Sequence, residues 1–440
     1  MTKTLRLSLL LVFLFQILMA TGFELAHDEA YYWLYSKHLD WGYFDHPPFV
    51  GVVIRFFSFL PHSELAVRIG FIILQFLSLQ LLFSLTANYL IVFLLFFSFP
   101  LASFTGLLAL PDIPLLFMTA CYCFQLKKYL EKDCLKNSLL LGLIIALLFY
   151  AKYHGVLLVF FTLLATPKLL LRKSFYLVAL AALVSFFPHM LWQYEHDFST
   201  LRYHFIERPS SSFSLKRSLE FIGLQIVLAG VLVGPLVWWT VIKNKTTSAF
   251  DRTMKFISIG TVFFFLFSSF SKKVEANWTI FLAIPLIYLC AGGKIWQKKW
   301  ARSLLYSSFA IVLLARLLFV LPSEFVKLKR LNEFRGWNEW AHEVHSVCKE
   351  QPLLANSYQV ASKLSFYLNQ EIGALNYHSR KNHFDYWRFE KNIPTKEVCY
   401  ITDKKDFSGE LIQAPDGKTL RIVKNQSIEA LLKLKYDENR

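Results

Sequence analysis

Eleven apolar runs, separated by short charged loops, constrain this chain more than any other feature. Runs of about 18 or more residues with few charges read as membrane-spanning helices. Lipid offers no water to unpaired backbone groups, so helices are the natural spanning elements. The expected spans lie at roughly 4–22, 64–85, 88–105, 113–126, 137–150, 155–171, 174–191, 219–241, 254–270, 278–293 and 303–321. Several are short, which predicts tilted, broken or re-entrant helices. With 55% hydrophobic residues, 44 phenylalanines and a mean hydropathy of +0.41, a soluble chain of 440 residues would expose too much apolar surface. The first run follows Lys3 and Arg6 and ends in small residues, as a cleaved signal peptide would. The charged loop and the many spans after it favour an uncleaved first helix.

Charge sets the expected orientation. If the N-terminus is cytoplasmic, the inner segments, "KKYLEKDCLK", "KLLLRK", "KNKTTSAFDRTMK", "KIWQKKWAR" and the N-terminal end, carry 17 Lys and Arg against 9 in the short outer loops. The positive-inside rule favours that arrangement, and an odd span count then puts the tail, 322–440, in the periplasm. The formal charge of +16 is thereby a matter of membrane topology and does not call for nucleic acid. Lys152, Arg202, Arg208, Lys216, Arg217, Lys272 and Lys273 break the rule on the outer side. They either snorkel to headgroups or form a site for phosphate arriving on that face.

The tail has no spanning run. Strand-like pieces ("PLLAN", "GALNY", "VCYIT", "LRIV") alternate with helix-like ones ("WNEWAHEVHSVCK", "SYQVASKLSFYL", "SIEALLKL"), which predicts a small α/β domain. It has no G-x-G-x-x-G and no nucleotide loop, so a cytosolic sugar nucleotide has no visible site. The six cysteines lack zinc spacing. Cys121, Cys123 and Cys290 sit in or near apolar runs and are expected to be inert, while Cys348 and Cys399 are both in the tail and able to pair.

Chemistry concentrates in the first outer loop, 23–63, within "HDEAYYWLYSKHLDWGYFDHPPF" from His27 to Phe49. Asp28 and Glu29 open it. "AYYWLYSKHL" reads as an amphipathic aromatic segment lying in the membrane interface. Asp45 and His46 precede Pro47 and Pro48, two residues without an N–H, which stiffen the chain. Asp112, between Pro111 and Pro114, is expected on the same membrane face, either as a turn residue or as a second acidic group. Lys152, His154 and "WQYEHDFSTLRYHF" join it there.

These stretches, with "LPDIPLLF", "AKYHGVLL", "KKVEANW" and "NSYQVASKLSFYL", occur in an order that resembles the family 39/83 glycosyltransferases, bacterial relatives of the protein O-mannosyltransferases. The resemblance covers nearly the whole chain, and the first loop is its most specific part. It implies the GT-C architecture: an α-helical membrane bundle (residues 1–321) with a small periplasmic α/β domain (322–440) and a site on the outer face of the inner membrane. It also implies a polyprenyl-phosphate sugar donor and a glycolipid or protein acceptor in the envelope. Residue by residue, it makes Asp28 the principal catalytic carboxylate, with Glu29 beside it and Asp112 as the second acidic position. His46 stands where the family's aminoarabinose transferases carry a lysine near the lipid phosphate, so Lys152 or Arg202 would share the donor phosphate with it. Asp45 matches an acidic position near a bound zinc in those relatives. With His196 or His204 it would form a divalent-metal site, although no cofactor is required by the reading. A transporter or flippase of a lipid-linked substrate also needs many spans and intramembrane charges, and a scaffold could use the tail to bind a partner. Neither calls for acidic residues gathered in outer loops.

Overall fold

The computed structural model describes residues 1–203, 212–321, 328–349 and 351–437. The chain enters as α1 (Lys3–Thr21), then forms two short helices, α2 (His27–Lys37) and α3 (Phe49–Phe56), before α4 (Glu64–Leu85). Next come α5 (Tyr89–Ser98) and α6 (Pro100–Phe104), then α7 (Asp112–Glu131), α8 (Leu135–Ala151), α9 (Val156–Ala165) and α10 (Lys173–Glu195). A single turn, α11 (Ser199–Arg202), leads on to α12 (Leu215–Leu228), α13 (Gly234–Lys243), α14 (Ala249–Ser269), α15 (Ala283–Ala291) and α16 (Lys299–Ala315).

Every expected span coincides with a helix or a pair of helices, but few are single long rods. Among the described residues, Lys3–Thr21, Glu64–Leu85, Lys173–Glu195 and Lys299–Phe319 are long and apolar enough to cross a membrane alone. Tyr89–Ser98 and Pro100–Leu107 pass together but are bent by 89°. The break falls at Phe99, because Pro100 cannot continue the hydrogen-bonded ladder but suits a first helical turn. The expected span 219–241 is likewise α12 and α13, interrupted at Gly230, whose φ is +121°. Length alone therefore supports a multi-pass membrane protein and leaves the figure of eleven behind. Polar side chains tie the bundle together where lipid would penalise them. Gln16 on α1 donates to Gln75 on α4 at 2.7 Å, and Gln75 donates in turn to the carbonyl of Ala102. A Cβ on Gly106 would meet the Gln75 amide at 2.3 Å, so only glycine lets the bent segment come this close.

The tail is a five-stranded sheet in the order β2-β1-β3-β5-β4. The strands are β1 (Leu353–Ala355), β2 (Gly373–Ala374), β3 (Glu397–Thr402), β4 (Glu410–Gln413) and β5 (Thr419–Ser427). The pairings of β1 with β2 and β3 are parallel, while β5 runs antiparallel to β3 and β4. Helices α17 (Trp337–Val347), α18 (Tyr358–Tyr367), α19 (Phe384–Trp387) and α20 (Ile428–Asp437) complete it. The four strand-like pieces and three helix-like pieces of the sequence all appear. Strand β4 was not legible, because it is an edge strand with largely exposed side chains and no buried alternation.

One expectation about the first loop is corrected. Helix α2 does not lie as an amphipathic ribbon in the interface: residues 29–36 are buried between α3 and α18 of the tail. Among the described residues the tail reaches these tyrosines at Tyr31, whose hydroxyl accepts from His383 N.

Cys348, at the end of α17, is disulfide-bonded to Cys399 on β3, 51 residues on. Closing a loop of that length removes about 4 kcal/mol of unfolded-chain entropy. Cys348→Ser is expected to lower the tail's thermal unfolding midpoint and expose it to trypsin, with the membrane helices unaffected. Unchanged proteolysis would show that the bond carries no stability.

Candidate active site

The two adjacent carboxylates of the first loop have opposite fates. Successive residues on a helix point about 100° apart, so Asp28 and Glu29 cannot face the same partner. Glu29 turns into the bundle. Its Oε1 accepts from Arg68 Nε at 2.8 Å and its Oε2 from Arg68 Nη2 at 2.7 Å, with both side chains 0% exposed. Oε2 also accepts from Ala26 N, the N-cap amide of α2, and Oε1 from Ala109 N, each at 2.8 Å. Arg68 completes the knot by donating to the carbonyls of Ala20 and Phe23 through Nη1 and of Glu24 through Nη2. Glu29 is thus saturated and unable to act on a substrate. The catalytic expectation for it gives way to a structural one, since a buried carboxylate must have all its lone pairs answered.

Asp28 turns instead toward the tail. Its Oδ1 accepts from the Tyr358 hydroxyl of α18 at 3.2 Å. Oδ2 has no hydrogen-bond partner among the described residues. Burial, then the charges of Glu333 and Asp45, push the Asp28 carboxyl up to about 6. His27, beside it, is held down to about 3 by burial and the Lys363 charge, so it is neutral and brings Asp28 no cation. Lys363 on α18 anchors the tail here, donating to the carbonyl of Glu333 at 2.8 Å and to that of Leu25.

The loop 38–48 is shaped by aromatics. Tyr43 stacks on Tyr35 at 3.6 Å between centroids, and its hydroxyl donates to the carbonyl of His38 at 2.8 Å. Trp192 donates to Asp40 at 2.8 Å, and a Cβ on Gly42 would strike the Trp192 ring at 2.4 Å. The glycine of "DWGYF" therefore lets the loop lie flat on α10. This places Asp45 where the Tyr31 hydroxyl donates to Oδ2 at 2.9 Å and Arg380 Nη2 donates to Oδ1 at 2.7 Å. His383 donates through its backbone to Tyr31 Oη at 2.7 Å, and its Nδ1 accepts from Phe44 N at 3.2 Å. Burial keeps His383 neutral, which leaves that ring nitrogen free to accept. Asp28, Tyr358, Tyr31, Asp45 and Arg380 form one cluster, shared between loop and tail.

Asp112 begins α7 and is buried against Lys152, whose Nζ donates to Oδ1 at 2.9 Å, while Asn277 donates to Oδ2 at 3.2 Å. Lys152 was expected at an exposed outer helix end, snorkelling or meeting phosphate. It is buried and directed to Asp112, because an aspartate in this low-dielectric setting needs a countercharge. His46 is half-buried with its ring against Tyr32 at 5.7 Å. Arg202 is exposed at the end of α11. His196 stacks on Trp192 at 4.0 Å, and its Nδ1 is bonded to the Trp192 carbonyl at 2.8 Å. His204 and Arg208 lie outside the described residues. Of the expected metal set, Asp45 and His196 are described and each is already engaged. Asp45 already carries a guanidinium, His196 is engaged with backbone, and no three His, Cys, Asp or Glu gather among the described residues.

Sequence reading missed Arg68, Tyr358, Asn277 and Arg380. Arg68 had a signal, as the one charge inside the span 64–85 beyond its first residue. Tyr358 and Asn277 stood in quoted motifs. Arg380 lies in a polar stretch with nothing to mark it.

A helical membrane bundle with its acidic cluster in the first loop, closed over by a small α/β tail, matches the GT-C architecture expected from the sequence, and the comparisons with known proteins support that fold. Residues 45–192 match the PMT_2 family profile, described as dolichyl-phosphate-mannose-protein mannosyltransferase. The chain is 26% identical over 325 residues to lipid A galacturonosyltransferase RgtD of Rhizobium johnstonii, a match spanning 68% of this chain and 66%, just under two thirds, of that relative. ArnT of Cupriavidus metallidurans superposes in its apo state with a TM-score of 0.67 at 12% identity, covering 94% of this chain and 96% of that one. Bound to undecaprenyl phosphate, the same protein gives 0.66 at 13% identity, with coverage of 96% and 98%. At such identities the likeness to ArnT is one of fold.

Removing one partner of a buried ion pair costs about 3–5 kcal/mol. Glu29→Ala or Arg68→Ala is expected to give unstable, poorly expressed protein. Asp28→Asn should leave the detergent-solubilised melting temperature within a degree or two. Equal stability losses at positions 28 and 29 would contradict this division of labour.

Proposed function

We propose that the chain is a bacterial inner-membrane glycosyltransferase. It moves a sugar from a polyprenyl-phosphate donor to an envelope glycolipid on the periplasmic face, with inversion at the anomeric carbon. The observation that carries this reading is the state of Asp28. Of the three candidate catalytic carboxylates it keeps an oxygen without a partner among the described residues, and its pKa of about 6 suits a base near neutral pH. Glu29 and Asp112 are each closed off by a cation and further donors. The similarity to a lipid A galacturonosyltransferase and the shared fold with a protein solved with undecaprenyl phosphate support the donor and acceptor classes.

The transfer runs in one displacement. The acceptor hydroxyl oxygen attacks the anomeric carbon and its proton passes to Asp28 Oδ2. The bond from that carbon to the phosphate oxygen breaks, and its electron pair leaves with the lipid phosphate. A positioned carboxylate base contributes typically about 10²–10⁴-fold, and cations at the leaving phosphate lower the barrier further. Tyr358 orients Asp28, and Asp112 with Lys152 and Asn277 holds α7, α8 and the 276–282 turn in register beneath it.

Asp28→Asn is expected to reduce transfer at least about 100-fold. In the wild type, activity should fall on the acid side through about pH 6, because protonated Asp28 cannot accept the proton. Full activity in the variant, measured with purified protein and lipid-linked donor, would remove the assignment.

The positive-inside pattern and the disulfide, which persists in an oxidising compartment, support a periplasmic tail. Alkaline phosphatase fused after residue 440 is expected to be active. A fusion active only with a cytoplasmic reporter would reverse the topology and move the site to the other face.

A further inference from the structure

The tail segment 376–385 is built as a rigid presenter. Asn376 and His378 take left-handed backbone conformations, with φ of 57° and 49°. Asn382 Nδ2 donates to Asn376 Oδ1 at 2.8 Å, and Asn376 Nδ2 and Asn382 N each donate to Asp385 Oδ2 at 3.0 Å. Asn376 and Asn382 are buried, so this network is shielded from competing water. From it Arg380 projects onto the first outer loop. One of its five N–H donors goes to Asp45, and its guanidinium lies over the Tyr203 ring at 4.9 Å. Its side chain is 43% exposed against 11% for Asp45.

A strut between tail and loop would bury both partners, as Glu29 and Arg68 are buried at 0% each. Here only Asp45 is covered, and the guanidinium keeps part of its surface open, so Arg380 is placed to meet a ligand as well as to hold the loop. The Tyr31 hydroxyl fixes the other oxygen of Asp45, and the ring of Tyr358, which holds Asp28, packs on Tyr31 at 5.0 Å. The exposed guanidinium therefore stands at the rim of the Asp28 site. Lys152, one of the cations expected to meet phosphate, is taken by Asp112.

We infer that Arg380 is the residue with which the tail recognises a negatively charged group of the lipid-linked sugar, either the lipid phosphate or a carboxylate on the sugar. The inference rests on the donor class proposed above. Guanidinium offers a planar fork that matches either anion bidentately. Asp45 holds one arm of that fork, so Asp45 and the anion compete for it.

The competition gives a test that a strut would fail. Full-length protein in detergent is titrated with three lipids: undecaprenyl phosphate, the same lipid phosphate carrying a neutral hexose, and the same carrying a hexuronate. Arg380→Gln is expected to weaken binding by about 10- to 100-fold, with Arg380→Lys between it and the wild type. Asp45→Asn should tighten binding, because it releases the guanidinium. Trypsin resistance of the tail monitors folding. Loss with all three lipids identifies the phosphate as the anion; loss with the hexuronate lipid alone identifies the sugar carboxylate. Wild-type affinities in Arg380→Gln, or parallel losses in Arg380→Gln and Asp45→Asn, would overturn the inference while leaving the donor class standing. Failure of the wild type to bind any of the lipids would instead defeat the donor reading itself.

Discussion

The buried pair of Glu29 and Arg68 is the interaction on which the rest of this end of the bundle depends. Arg68 rises from α4, within the membrane bundle, and gathers the carbonyls of Ala20, Phe23 and Glu24 where the first span ends. Glu29 receives it, caps α2, and holds the amide of Ala109 just ahead of Asp112. Three stretches of chain distant in sequence are thereby joined at one carboxylate. Desolvating both ions is costly, and the cost is met only because each is fully hydrogen-bonded. The return is orientation: with Glu29 locked inward, the helical rotation sends Asp28 outward to Tyr358.

The tail is part of the site rather than an appendage to it. Tyr358 supplies the hydrogen bond to Asp28, Arg380 the cation on Asp45, and His383 the contacts that seat Tyr31 and the 43–46 turn. The disulfide secures the end of α17 to the central strand of the sheet that carries these groups. The α/β domain thus does two jobs, covering the aromatic helix α2 and supplying hydrogen-bond partners to it and to the loop that follows. That explains why α2 is buried on both sides and why its tyrosines pack ring against ring instead of forming an amphipathic interface ribbon.

The two acidic positions beside Asp28 illustrate how context decides a carboxylate's role. Asp28, Glu29 and Asp112 are the same functional group within one region of the fold. Asp112 is neutralised by Lys152 and steadied by Asn277, which binds α7, α8 and the 276–282 turn together. Glu29 is neutralised by Arg68. Asp28 receives one hydroxyl and no cation of its own, and burial, then the repulsion of Glu333 and Asp45, push its carboxyl up to about 6.

Local pattern was enough to determine much of this protein. Apolar runs required membrane helices because lipid cannot pair a bare backbone. The alternation of short strand and helix signals required an α/β tail, and clustered carboxylates, aromatics and a double proline marked the first loop as the candidate site. These properties depend on residues near one another in sequence, and so they were legible there. The breaks inside spans, such as the bend at Phe99, were foreseen only in kind, because whether a short apolar run is one helix or two depends on what it packs against. The division of roles among Asp28, Glu29 and Asp112 was not legible at all. Nor was the capture of Lys152 by Asp112, or the arrival of Arg380 beside Asp45 from 335 positions away. Each of those outcomes turns on which charge lies within about 3 Å of which other, and only the tertiary structure brings such residues together.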